Sequence, residues 1–335
     1  MNNRLRTSDK ITMADIAVQL GLSKTTVSRA LSGKGRISSD TRKKILTYIT
    51  KNGYQPNQTA RALAVSRTYN IGVIIPDENS GGDAPFFSDC LVGIAKAAVQ
   101  HDYDTILAVV SDDDISNLER LVHNSKIDGI VVTQMNKQDK IIPFLESCKL
   151  PFILVGTNYN DDVLQIDSNQ QDGCEKLTLH EIQSGCRKIA LLAGNKSHLV
   201  DIMRYEGYKK AIEETQFDTD KSFVFWNALK NISAAVQSAL DFHADCIVCM
   251  DDTICTGVID CLNDAHIGIP DDVQVVSFYD SAVLSSGKIP VTAIHVDSLD
   301  LCKRAGNLLI DEIEGRSPTR RNVAEYSIIY RDSSR

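Results

Sequence analysis

Side chains able to do chemistry gather in three short stretches. Asp251 and Asp252 stand together at the end of an apolar run, ADCIVCMDD. Adjacent carboxylates there suit a bound cation, an acid–base dyad, or acceptance of hydrogen bonds from ligand hydroxyls. Cys246 and Cys249 in the same run make a CxxC, a spacing used by zinc and redox sites. Near the N-terminus, Lys24, Thr25, Ser28 and Arg29 line KTTVSRALS with donors of the kind that meet phosphates and base edges.

The elements that carry these residues decide among the chemistries. CIVC reads as a buried strand, whose side chains alternate, so positions three apart face opposite ways. The two cysteines are therefore expected to be small buried hydrophobes and not a metal pair. The chain has no GxGxxG after a strand, no GxxxxGK[ST], no GxSxG and no HExxH. The GKG at 33–35 is a turn, and the seven histidines, His180, His198, His266 and His295 among them, show no ligand spacing. Hydroxyl binding is thus the simplest use of Asp251 and Asp252. No catalytic residue, cofactor or metal is expected.

With 335 residues, 43% hydrophobic and 24% charged, the chain has material for two or three domains with cores. The first ten residues lack the apolar segment of a signal peptide, and no run approaches membrane-spanning length. Nine cysteines, an odd number in a large chain, argue against a disulfide framework. A cytosolic protein, associated with the nucleoid, is expected. Residues 1–67 hold 13 of the 36 Lys/Arg and 3 of the 44 Asp/Glu, leaving 23 against 41 for the remainder. A basic head on an acidic body suggests a nucleic-acid module attached to a soluble one.

Residues 12–53 predict three short helices. Thr12 caps the first with Asp15 at capping-box spacing, and Met13, Ile16, Ala17 and Leu20 form its apolar stripe. GLS at 21–23 is a tight turn, with Gly21 free to take positive φ and Ser23 to cap the next helix. There Val27, Ala30 and Leu31 share one face, and Lys24, Thr25, Ser28 and Arg29 the other. The third helix runs from about Ser39 to Asn52. It stops at Gly53 and places Arg42, Lys43 and Lys44 outside. Two helices about a Gly turn, the second hydrophilic, are the helix-turn-helix plan, with Arg29 able to fork onto guanine and Lys24 onto a base or a phosphate.

GLSKTTVSRALSGKGRIS, TRKKI and NGYQPNQTARAL together resemble the LacI/GalR family of bacterial transcription regulators. The resemblance is specific over residues 11–68. About ten polar residues precede it, expected to form a disordered tail. It implies DNA contacts from Thr12, Lys24, Thr25, Thr26, Ser28, Arg29 and Ser32. It further implies that residues 57–68 are a hinge helix, ordered only in an operator minor groove, where Leu63 wedges between base steps and Asn57, Ala60 and Arg61 lie along the groove or backbone. The local physics agrees: a helix this short is marginal alone, and leucine is a known minor-groove wedge. A plain helical spacer is the other reading.

From residue 70 onward, apolar runs at 71–75, 105–110, 129–133, 152–155, 188–193, 246–250, 273–279 and 292–296 alternate with amphipathic segments such as SLDLCKRAGNLLIDEI. This predicts an α/β body with parallel sheets, too long for one, hence two lobes. DGIVVTQM and ADCIVCMDD read as equivalent strand ends of the two halves. The resemblance implies a periplasmic-binding-protein-like body with three passages between lobes. The expected fold is an all-α helix-turn-helix head (1–56), the hinge and linker (57–68), and an α/β two-lobed body (69–335). Its N-lobe takes about 69–163 plus 296–324 and its C-lobe about 164–295 plus 325–335.

Ligands of such sheets bind at strand carboxyl ends. Carried over by resemblance, Arg204 of RYEGY matches the family's R-x-x-G-aromatic motif, Asp280 of SFYDS a cleft aspartate, and Asp251 the first residue of a dipeptide that is commonly Asn-Asp. Trp226 falls near a stacking position, and Phe87 suits either the N-lobe rim or helix packing. Asp77, in an acidic loop, and Asn158, where relatives have an aspartate nearby, complete the effector set. The family's Gly-His is Gly185-Cys186 here. These residues fit a polyol, sugar or sugar acid, or an amine-bearing ligand. The expectation is a homodimeric repressor of carbohydrate-use genes that binds a pseudo-palindromic double-stranded DNA operator and answers a small sugar-like effector. The chain's IIYRDSSR end implies no tetramer helix. The alternatives are a cytosolic sugar-sensing binding protein acting through protein contacts, and an α/β enzyme with a regulatory DNA-binding head.

Overall fold

The computed structural model describes residues 11–32, 36–53, 67–77, 84–111, 114–136, 140–215 and 222–335. Asn57, Ala60, Arg61 and Leu63 of the expected hinge lie outside them, as does the side chain of Ser32. The chain divides into a unit ending at Thr68 and one beginning at Tyr69.

In the first unit, α1 (Met13–Leu20) opens on a capping box. Thr12 Oγ1 accepts the Asp15 amide at 3.3 Å, and the Asp15 carboxylate accepts the Thr12 amide at 2.8 Å. Gly21 takes φ 65°, a left-handed value a side chain would resist, and turns the chain into α2 (Lys24–Ser32). Ser23 Oγ caps α2 by accepting the Thr26 amide at 3.1 Å. Ser38 does the same for α3 (Ser39–Lys51), accepting from Thr41 at 3.2 Å. Ile16, Val27 and Ile45, one from each helix, are fully buried and pack with Ala17, Ala30 and Ile49. Arg42, expected outside, is half-buried, while Lys43 and Lys44 are exposed.

The second unit contains two six-stranded sheets. The strands are β1 (Asn70–Pro76), β2 (Asp104–Val110), β3 (Gly129–Val132), β4 (Phe152–Val155), β5 (Gln165–Asp167), β6 (Ile189–Leu192), β7 (Ser222–Phe225), β8 (Cys246–Cys249), β9 (Gln274–Ser277), β10 (Thr292–Val296), β11 (Arg321–Val323) and β12 (Tyr326–Ile329). The first sheet, ordered β11-β5-β4-β3-β1-β2, is wholly parallel. The second, β12-β10-β9-β8-β6-β7, is parallel except that β12 runs against β10. Every residue of β3, β6, β8 and β9 is buried, as central strands covered on both faces require.

Helices α4 (Ala84–Gln100), α5 (Ser116–His123) and α6 (Ile141–Cys148) connect strands of the first sheet. In the second, α7 (Gln170–Gln183) packs on α8 (Leu199–Glu214), and α9 (Ile232–Asp241), α10 (Asp252–Asp264) and α11 (Ala282–Ser286) follow. Lastly, α12 (Ser298–Ile313) returns to the first sheet and lies along α4.

The chain passes between sheets three times. The first passage falls at Ser168–Asn169, later than the boundary near 163 read from sequence. The reason is β5: it pairs with β4 and β11, and its buried Gln165 and Ile166 complete the first sheet. The others fall between Val296 and Ser298 and between Val323 and Tyr326. β5, β7, β11 and β12 were not among the strand runs read from sequence. None of them is buried along its whole length, so none carries the continuous apolar run of a covered central strand. No helix among the described residues is long and apolar enough to cross a membrane.

Candidate functional site

Two regions gather polar side chains. On α2, Lys24, Thr25, Ser28 and Arg29 are exposed while Val27 and Ala30 are buried, so one turn-rich helix presents a polar face over an apolar one. Thr26 is half-buried, and its hydroxyl meets Ser23 Oγ at 2.8 Å, which draws it into the cap. Thr12 is exposed and its hydroxyl meets the Asp15 carboxylate at 2.6 Å.

The second region is a cavity of about 530 Å³ between the two sheets of the body. Its walls come from strand carboxyl ends: Thr133 to Met135 after β3, Gly156 and Thr157 after β4, Asp167 and Ser168 at β5, Gly194 and Asn195 after β6, Asp251 after β8 and Tyr279 after β9. Phe86 and Phe87 of α4 and Ser298 and Leu301 of α12 close the N-lobe side. The Leu199 amide donates to Met135 O at 3.0 Å, and Asn136 bridges His198, so backbone joins the lobes beside the cavity.

Arg204 is the cavity's buried cation, 6% exposed. Its Nε donates to Gln170 Oε1 at 3.0 Å and a terminal nitrogen donates to Met250 O at 3.0 Å. The guanidinium carbon lies 5.8 Å from the Tyr279 ring centre. The R-x-x-G spacing has a packing cause. A Cβ on Gly207 would meet the Gln171 carbonyl and Cys174, so only glycine lets α8 approach α7 closely enough for Arg204 to reach Gln170. Asp201 Oδ2 accepts the Asn195 amide at 2.8 Å and lies 3.7 Å from His198 Nδ1. Asp251 caps α10, accepting the Ile254 amide at 2.7 Å. Burial pushes the Tyr279 phenol up to about 12, and it shares a 3.0 Å hydrogen bond with Ser298 across the lobes.

Of the effector residues read from sequence, Phe87, Arg204 and Asp251 line the cavity, and Asp77, Asn158, Trp226 and Asp280 do not. Asp280 follows Tyr279, and successive side chains diverge: Tyr279 faces the cavity while Asp280 takes both Arg331 donors at 2.8 Å and His295 at 3.3 Å. The Asn158 side chain accepts the Asn160 amide at 2.8 Å and donates to Met135 Sδ at 3.4 Å, and its backbone N–H donates to Gln165 Oε1 at 2.7 Å. Trp226 packs edge-on to Tyr205, its ring centre 5.2 Å from Lys196 Nζ. Asn227, Leu229 and Lys230 reach the cavity instead. Asp77 is exposed at the end of β1. Sequence reasoning missed Tyr279, Gln170, Asp201 and His198. Tyr279 lay inside a recognised strand run, and a rule favouring aromatics at strand carboxyl ends would have found it. Nothing local marked the other three.

The cavity therefore offers one buried cation, three carboxylates, amides and hydroxyls among aromatic and aliphatic walls. That combination suits a ligand with many hydroxyls and apolar faces.

Residues 68–322 match the family described as periplasmic binding proteins and sugar binding domain of LacI family. Residues 12–57 match bacterial regulatory proteins, lacI family. The chain is 29% identical over 330 residues to the HTH-type transcriptional regulator RegA of Clostridium saccharobutylicum, covering 96% of this chain and 98% of that one. Among solved structures, a lac repressor dimer bound to operator and the anti-inducer ONPF superposes with TM-score 0.79 at 20% identity, over 97% of this chain and 99% of that one. The transcriptional regulator CelR in complex with cellobiose does so with TM-score 0.72 at 23% identity, over 97% and 100%.

Proposed function

Since the chain belongs to the LacI family of bacterial regulatory proteins, and so is a DNA-binding transcriptional regulator, we propose that it is a cytoplasmic homodimeric repressor of carbohydrate-use genes. Two copies of the head read the half-sites of a pseudo-palindrome, because a two-fold dimer presents two related recognition helices. Arg29, Thr25, Ser28 and Lys24 make the base and phosphate contacts. The hinge residues Asn57, Ala60, Arg61 and Leu63 follow in the adjoining minor groove.

The body binds a sugar or sugar derivative between its lobes. Arg204 and Asp251 hold its hydroxyls, Asp201 and Gln170 position them, and Phe87 and Tyr279 cover its apolar faces. The cleft is a binding site and not a catalytic one. The observation that carries this reading is Arg204, buried at the meeting of strand ends with its own donors held by Gln170 and Met250. The ligand acts by favouring one relative setting of the lobes, which needs different affinities for the two settings.

The test pairs two measurements on the full chain. Selection from random duplexes should enrich a pseudo-palindrome whose affinity falls steeply with salt. A thermal-shift screen of sugars and sugar acids should find a ligand that raises the melting temperature, and the same ligand should change affinity for the selected duplex. A salt-insensitive interaction with no palindrome, or a ligand that leaves DNA affinity unchanged, would sink the proposal.

A further inference from the structure

Glu181 is fully buried near the end of α7, and its Oε1 has no hydrogen-bond partner among the described residues. Its Oε2 lies 3.9 Å from Cys186 Sγ and 4.0 Å from Cys246 Sγ, and the three ligand atoms are all within 4.8 Å of one another. Both cysteines are buried and free. We propose that Glu181, Cys186 and Cys246 form a binding site for a zinc-like divalent cation, with the two sulfurs as thiolates.

Three observations support it. The first is distance. Tetrahedral zinc with sulfur at about 2.3 Å and carboxylate oxygen at about 2.0 Å separates sulfur from oxygen by roughly 3.5 Å, so the two sulfur–oxygen spacings need to shrink by only a few tenths of an ångström. The second is the surroundings of one sulfur. Gln274 Nε2 donates to Cys186 Sγ at 3.1 Å, and the Arg335 amide donates to Gln274 Oε1 at 2.7 Å, which keeps the Gln274 NH2 turned toward the sulfur. A fixed donor on sulfur favours the thiolate, as outer partners of metal sites do. The third is the unpartnered oxygen. A buried polar oxygen left without a partner is costly. A cation held by the same group removes that cost.

The site is separate from the cleft. Cys246 opens β8 and Gln274 opens β9, whereas Asp251 and Tyr279 lie beyond the other ends of those strands. Nor is it the CxxC. Cys249 is on the opposite face of β8, beside Cys255, as alternation along a strand demands. Two thiolates and a carboxylate with zinc favour a soft or borderline cation over calcium or magnesium. The cation ties the end of α7 to the starts of two strands, and α7 begins at Gln170, the partner of Arg204.

The full chain, reduced and stripped with chelator, is dialysed against zinc and then against metal-free buffer. About one zinc per chain should remain, with a higher melting temperature than the stripped protein. Cobalt in its place should give an intense near-ultraviolet thiolate charge-transfer band. Cys186→Ser and Cys246→Ser should each lose the retained zinc and most of that band. Glu181→Gln should keep the band but bind zinc at least tenfold more weakly, in line with the loss of one ligand. Cys148→Ser and Cys249→Ser should behave as the parent chain. The proposal is overturned if the parent chain retains no zinc, which needs no variant to fold. Retention that survives the Cys186→Ser/Cys246→Ser double variant, or that is lost with Cys249→Ser alone, also overturns it.

Discussion

The head and the cleft bind by opposite arrangements of charge. On α2 the polar side chains are exposed and stand on a core of a few side chains led by Ile16, Val27 and Ile45. In the cleft, Arg204, Asp201 and Asp251 are nearly buried, and each is already held by protein groups. The head is thus pre-shaped by a small core and carries its polar side chains at the surface. The cleft is pre-shaped by its own hydrogen bonds. Removing a core residue should therefore hurt the head far more than the loss of any one surface donor. In the cleft a single polar residue should matter a great deal.

The largest effect is expected from Ile45→Ala. Emptying a fully buried isoleucine site costs about 2–5 kcal/mol, most of the stability a three-helix head can have. DNA binding should collapse while ligand binding in the body persists. Loss of both by calorimetry would break the contrast. Next comes Arg204→Ala, which removes a buried charged donor and orphans the Met250 carbonyl. It should weaken ligand binding by about 1.5–3 kcal/mol, with DNA affinity in the absence of ligand unchanged. Arg29→Ala should cost about 1–3 kcal/mol of discrimination at a single base pair of the operator and leave the others alone. Unchanged preference in a competition assay would take Arg29 out of the reading set. The smallest effect sharpens the boundary of the cleft: Trp226→Phe keeps the packing on Tyr205 and should leave ligand affinity within error. A tenfold loss would return Trp226 to the site.

The head was legible because helical periodicity assigns each side chain to a face. Val27 and Ala30 went inside and Thr25, Ser28 and Arg29 outside from spacing alone, and Gly21 marked the turn. The central strands were legible as apolar runs, and the short strands β5, β7, β11 and β12 were not. Asp280 shows where the method stops. A strand end can be read from sequence, but which of two successive residues turns into the cleft is set by the bend after Ser277, where the Tyr279 amide bonds Ser277 Oγ at 3.2 Å.

Glu181, Cys186 and Cys246 make the same point at the far end of the second sheet. Cys246 was weighed with Cys249, its neighbour in sequence, while its neighbours in space come from α7 and the start of β6.

Sequence by itself determined the head's helices, the central strands and their order, the basic head on an acidic body, and the two lobes, because hydrophobic period, capping and charge are local properties. Tertiary structure alone decided which polar side chains meet. The cavity draws on residues from Phe86 to Leu301, and contacts across that separation arise only once two sheets and three chain passages bring the strand ends together.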